Sequence, residues 1–251
     1  MTKLDYLTLL KGDPIPVNNI GHIRFPKLSE IADPKMGYGT YNSYINFLVM
    51  SKQNFMDACK IQNENQYDLE LFDILFNINS LREMLCNTLS FFISEKLYVS
   101  VPYQCFYVKN KVGNQRFIYK DNYDDIKNMI LQTNYVQLDS FETLKPAGKH
   151  TAELLEKRKK YHKQFEKNLK NDLDISLPNI VSKLATYGNG LNLLNIWDYT
   201  VFQIYDQFFN FCYKKNNDMA NFSYSIWGGD YKIPKWYKNT YENNANGKDD
   251  I

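Results

Sequence analysis

Histidine, cysteine and glycine are sparse in this 251-residue chain, at 3, 4 and 11 residues. The cysteines, Cys59, Cys86, Cys105 and Cys212, form no C-x-x-C pair. That spacing excludes a zinc ribbon and a dense disulfide scaffold, and leaves four free thiols of a reducing compartment. None of His22, His150 and His162 has a second His at i+3 or i+4, and none sits in a plausible metal-ligand arrangement, so neither a metal nor a cofactor is expected. No run approaches the ~20 apolar residues of a membrane span, and the opening residues carry no apolar signal core. A soluble protein made in the cytoplasm, without membrane contact, is the expectation. A charge excess is missing too: 30 Lys+Arg against 28 Asp+Glu leave +2, which excludes a polycationic chain and an acidic disordered one.

What is abundant is material for a core and for surfaces. Hydrophobic residues make up 44% and aromatics 16%, with 20 Tyr and 16 Phe. A chain of this length removes roughly three quarters of its unfolded surface from water, so a sizeable core is within reach.

The patterning predicts an α+β fold, predominantly helical. Residues 4 to 25 hold short apolar runs broken by Gly12, Pro14, Pro16, Asn18 and Asn19, which reads as an N-terminal β-arm or small meander of edge strands. Leu28 and Ile31 mark one short helical turn. Tyr41, Tyr44, Ile45 and Leu48 share a helical face, and Ser51 caps a helix carrying Phe55, Met56 and Cys59. Leu71, Ile74, Leu75, Ile78, Leu81, Leu85 and Leu89 predict one long helix from about 69 to 93. The period then drops to two: Tyr103, Cys105 and Tyr107 alternate with their neighbours, and Arg116 to Tyr119 follow Val112-Gly113-Asn114, a central β-hairpin. Asp121 or Asn122 is expected to cap a helix bearing Tyr123, Ile126, Met129 and Ile130.

Residues 136–149 lack periodicity and read as a linker between an N-terminal lobe, 1–135, and a helical C-terminal lobe, 150–240. Between Glu153 and Lys170 seven basic residues face three glutamates, a long charged helix whose candidate basic surface is Lys157, Arg158, Lys159, Lys160 and Lys163. Ser176, Pro178 and Gly188 punctuate a compact helix holding Ile180, Val181 and Leu184. A further helix, Ile196 to about Cys212, presents Trp197, Val201, Ile204, Tyr205, Phe208 and Phe209. Tyr224 to Tyr237 reads as turn-rich, and residues 241–251 as a flexible tail.

No constellation carries catalysis. Gly37-Tyr38-Gly39 and Gly188-Asn189-Gly190 lack the third glycine and the Lys-Ser/Thr ending of a phosphate loop, so both read as breaks between helices. Asp124 and Asp125 are adjacent and diverge by about 100 degrees on a helix, which prevents them from facing one substrate atom. An enzyme is therefore not expected. Trp227, Trp236 and Tyr237 are the candidate protein interface, because aromatics in a turn-rich stretch can be presented for burial by a partner.

The segment Leu191 to Phe209 carries Trp197-Asp198-Tyr199 and Gln203-Ile204-Tyr205-Asp206-Gln207-Phe208. With the Lys-rich helix before it and the endings Trp227-Gly228 and Trp236-Tyr237 after it, it resembles proteins of Gram-positive tailed bacteriophages. Tyr6 to Ile15 and Pro26 to Ile31 resemble the opening of the same group. The resemblance implies a tail-morphogenesis protein, tail assembly chaperone-like, acting through protein–protein contacts with tape-measure, tube or baseplate components. It carries no catalytic residue. A virion structural protein of the tail, connector or baseplate is the alternative. The second alternative is a nucleic-acid-binding phage protein using the basic helix 154–170; otherwise nucleic acid is not an expected partner. The implied location is the host cytoplasm during assembly, or the virion.

Overall fold

Asp5 opens the first helix, because its carboxylate accepts from the Thr8 backbone N–H at 3.0 Å and satisfies a donor that the helix cannot. In the computed structural model, which describes residues 3–17, 20–59, 70–109, 115–136, 176–187, 190–228 and 235–237, this helix is α1, Tyr6–Lys11. Gly12 stops it in the left-handed conformation, φ 72°. The N-terminal arm is therefore a helix followed by two strands, not strands throughout. β1 (Ile15–Val17) pairs antiparallel with β2 (Gly21–Ile23). Pro16 is tolerated because a two-stranded ribbon is all edge.

The helical readings downstream hold. α2 (Leu28–Ile31), α3 (Gly37–Val49) and α4 (Lys52–Cys59) follow in order. Ser51 Oγ accepts from the Asn54 N–H at 3.3 Å, the cap expected of it. The long helix expected over 69 to 93 is two: α5 (Leu71–Asn77) and α6 (Asn79–Phe92) meet at Ile78, whose backbone is extended at φ −90°, ψ 118°. Arg82 holds the break. Its guanidinium donates to the Phe76 carbonyl at 3.0 Å, freed by the interruption, and lies 5.6 Å from the Phe76 ring centroid. The apolar period runs straight through Ile78, so it could not signal the corner.

The hairpin is present and is joined by a third strand. β3 (Leu97–Ser100), β4 (Cys105–Lys109) and β5 (Gln115–Ile118) form an antiparallel sheet in the order β3-β4-β5. Phe106, Val108 and Ile118 are buried, and Phe106 joins Phe72, Phe76 and Tyr123 in an aromatic cluster with centroid separations from 5.2 to 6.3 Å. α7 (Lys120–Thr133) covers this cluster. Its N-cap is Tyr119, not Asp121 or Asn122; Asn122 instead reaches back so that its Oδ1 accepts from the Tyr119 N–H at 2.9 Å. Near its end the Tyr41 hydroxyl donates to Asn134 Oδ1 at 3.0 Å, and Asn134 Nδ2 donates to the Ile130 carbonyl at 2.7 Å, which satisfies polar groups placed in the core.

Residues 1–136 together with Thr200–Gln203 form one compact unit, and 137–199 with 204–251 form the other. In the first, Val201 donates its N–H to the Pro26 carbonyl at 3.0 Å, and Gln203 Nε2 donates to the Leu10 carbonyl at 2.8 Å. Phe202 is fully buried, its ring 6.4 Å from Tyr6 and 5.0 Å from Tyr135. In the second, α8 (Leu177–Tyr187) buries Leu177, Ile180, Val181 and Leu184, as its punctuation predicted. A 3-10 turn, Ile196–Asp198, precedes α9 (Val201–Trp227). Thr200 and Gln203 cap α9 reciprocally: the Thr200 N–H donates to Gln203 Oε1 at 2.9 Å and the Gln203 N–H to Thr200 Oγ1 at 3.3 Å. That pair, and not Ile196, sets its start. The molecule is α+β and predominantly helical. Most of the 136–149 segment, the basic helix with Lys157, Arg158, Lys159, Lys160 and Lys163, and the 241–251 tail lie outside the described residues.

Candidate protein-interaction surface

α9 runs well past Cys212, where its periodicity had been expected to end, and stops at Gly228, which takes φ 63° and donates its N–H to the Tyr224 carbonyl at 2.9 Å. The stretch read as turn-rich from Tyr224 is therefore helical through Trp227. The extension changes the character of one helical face. Ile204, Phe208, Phe211, Lys215, Met219, Phe222 and Ile226 follow one another by threes and fours, so they share a stripe. Ile204 is fully buried and Phe208 half-buried, whereas Met219 and Phe222 are each 68% exposed. An apolar stripe that begins in a core ends in solvent.

The sequence-named residues sit at or beyond that end. Trp227 is 80% exposed on the last turn of α9. Trp236 and Tyr237 pack edge to face at 5.8 Å with their planes at 90°, and both stand in solvent. Trp227 makes no ring contact with that pair among the described residues. Trp197 lies in the 3-10 turn, not on the helix face where it was expected; its indole N–H donates to the Leu193 carbonyl at 2.8 Å.

Charge leaves the stripe little competition. Lys214 pairs with Asp218 at 3.0 Å on the flank, and Lys215 crosses the stripe with its ammonium 5.6 Å from the Phe211 ring. On the opposite side of the helix Asn210 donates to buried Asp206 at 2.9 Å, and Asn221 to Asn217 at 2.9 Å. Met219, Phe222 and Ile226 escaped the sequence reading because that reading ended the helix at Cys212. The i, i+3, i+7 spacing was the signal that could have found them.

Elsewhere the chemistry-bearing residues are tied into structure. His22 pairs with Glu95, Nδ1 to Oε1 at 2.8 Å, and its backbone N–H donates to Oε2 at 2.8 Å. Partial burial pushes the Glu95 carboxyl up, and the bonds from His22 outweigh it and hold the group below the usual carboxylate range. Burial raises the thiol pKa of Cys86, Cys105 and Cys212, which suppresses the reactive thiolate. Asp124 is solvent-facing beside Lys127, and Gly37-Tyr38-Gly39 begins α3. Among the described residues no group of three or more His, Cys, Asp or Glu could hold a metal ion, and no helix is long and apolar enough to cross a membrane.

The C-terminal stretch that bears this surface is similar to a phage-associated domain. A family model described as the YomV second domain matches residues 166–241, and that family is phage-associated, of Bacillus prophage type. The match contains Leu191 to Phe209 and the Trp227-Gly228 and Trp236-Tyr237 endings, the elements in which the sequence resembled tailed-phage proteins. No curated protein and no solved structure matches the chain.

Proposed function

We propose that the protein is a non-enzymatic phage tail-morphogenesis protein, tail assembly chaperone-like, which works in the host cytoplasm through contacts with tail components such as the tape measure or tube. The observation that carries this reading is the exposed run Met219, Phe222, Ile226 and Trp227, inside a phage-related domain. Burying each such side chain contributes about 1.5–3 kcal/mol. Association itself costs on the order of 4–15 kcal/mol. Four anchors roughly balance that cost, so Trp236 and Tyr237 are assigned to the same contact. Aromatic anchors of this kind dominate binding energy when a partner desolvates them.

Co-expression with tape-measure and tube proteins tests the reading. Phe222→Asp and Trp227→Ala remove side chains that touch little else, so helicity should persist while the complex is lost. A complex that forms undiminished with both variants refutes this surface as the contact. Mass spectrometry of purified virions then separates a chaperone from a subunit, since stoichiometric presence in the particle selects the structural role.

A further inference from the structure

The outward face of the β3-β4-β5 sheet carries an arrangement that the C-terminal surface does not explain. Tyr98, Tyr107 and Phe117 stand opposite one another on the three strands, in register. Side chains alternate across a sheet, and Phe106, Val108 and Ile118 point into the core, so the three rings form a row on the other face. Tyr98 and Tyr107 stack with centroids 5.3 Å apart and planes 20° apart, and Phe117 continues the row 6.3 Å beyond Tyr107. The row is partly open to solvent, Phe117 by 38%.

Two cations share this row. Lys96 Nζ lies 5.4 Å and Lys109 Nζ 5.5 Å from the Tyr98 ring centroid, and Lys109 is also 5.9 Å from that of Tyr107. Each ammonium is attracted by the ring, yet gathering two like charges at one ring is electrostatically unfavourable unless an anion joins them. Among the described residues neither lysine has a carboxylate within ion-pair distance, and neither Tyr98 nor Tyr107 uses its hydroxyl in a hydrogen bond. The face thus combines uncompensated positive charge, free hydroxyl groups and flat π surfaces.

We propose that this face binds single-stranded nucleic acid, with phosphates at Lys96 and Lys109 and bases stacked on the Tyr98–Tyr107–Phe117 row. Charge complementarity selects a polyanion, and the rings select one that offers unpaired flat bases. A duplex hides those faces, and an acidic peptide brings carboxylates with nothing to stack. The site uses other residues of the chain than the basic segment around Lys157 to Lys160.

Fluorescence anisotropy of the full chain with a fluorescein-labelled dT15 oligonucleotide tests the assignment. Binding should weaken with salt at a log–log slope near −1.4, about −0.7 for each of two phosphate contacts. Lys96→Glu with Lys109→Glu, both on exposed side chains, should weaken it by at least about tenfold, and Tyr107→Leu, which keeps apolar bulk on the strand, by about tenfold through the lost stacking. Photo-cross-links from a bromodeoxyuridine oligonucleotide should fall on Tyr98, Tyr107 or Phe117. The proposal is overturned if dT15 does not bind, if a duplex or a poly-glutamate peptide binds as tightly, or if binding survives Lys96→Glu/Lys109→Glu. Loss of binding only when Lys157, Arg158, Lys159 and Lys160 are reversed to Glu also overturns it, and assigns the contact to that segment.

Discussion

Replacing Gly21 by alanine tests how closely the start of β2 approaches the segment after α6. Gly21 has φ 120°, a region that side chains with a Cβ rarely occupy, and a Cβ built there would fall on the Glu95 carboxylate. Two costs follow. The backbone strain of a non-glycine residue at such a φ is about 1–3 kcal/mol. Displacing Glu95 also breaks its two bonds with His22, each 2.8 Å long. Those bonds are exposed to solvent, so together they are worth only about 1–2 kcal/mol. Gly21→Ala should therefore cost about 2–5 kcal/mol, a large fraction of the roughly 5–15 kcal/mol that holds a domain folded. Urea melts followed by far-ultraviolet circular dichroism, with hydrogen exchange on peptides spanning 15–31 and 85–100, would report it. In a Glu95→Ala background the carboxylate is gone, so the same substitution should cost only the strain, about 1–3 kcal/mol. If Gly21→Ala costs less than 1 kcal/mol, or if the two changes are additive, the close approach of Glu95 to Gly21 is refuted.

The same pair predicts a pH response: because the folded state holds the Glu95 carboxyl low, its contribution is complete above the unfolded pKa of about 4.3 and is lost as pH falls below that, through the lower folded value. Glu95→Gln should flatten this acid limb in a pH series of urea melts, and an unchanged limb would show that His22 does not stabilise the carboxylate. Phe202→Ala should cost about 3–5 kcal/mol because its ring is fully buried between Tyr6 and Tyr135, whereas Phe208→Ala, at a half-buried position, should cost less than half as much. Equal losses in the denaturant midpoint would refute the different burial of these two faces.

Local signals determined much of this molecule. Ser51 and Ser176 sit where caps are needed, and Tyr41, Leu48, Ile180 and Leu184 repeat at the helical period, so α3, α4 and α8 were legible without any tertiary knowledge. The alternation around Tyr107 likewise placed β4 and β5. The phage-related character was carried by short motifs between Leu191 and Tyr237, which are strings of residue types and need no fold to be read.

Tertiary structure decided the rest, because periodicity says which residues share a face and not what covers that face. The corner at Ile78 interrupts an unbroken apolar period, and Arg82 stabilises it through the Phe76 carbonyl, a contact set by packing. Phe202 is fully buried and Trp197 is not, because Thr200–Gln203 docks against Leu10 and Pro26, far away in sequence. The stripe on α9 is equally apolar at Ile204 and at Phe222; one is buried and the other is not, and only the neighbours supplied by the fold make that difference. The ring row of the sheet depended on β3, whose pairing brings Tyr98 to Tyr107 and two lysines to one ring, a juxtaposition invisible until three strands are set in register.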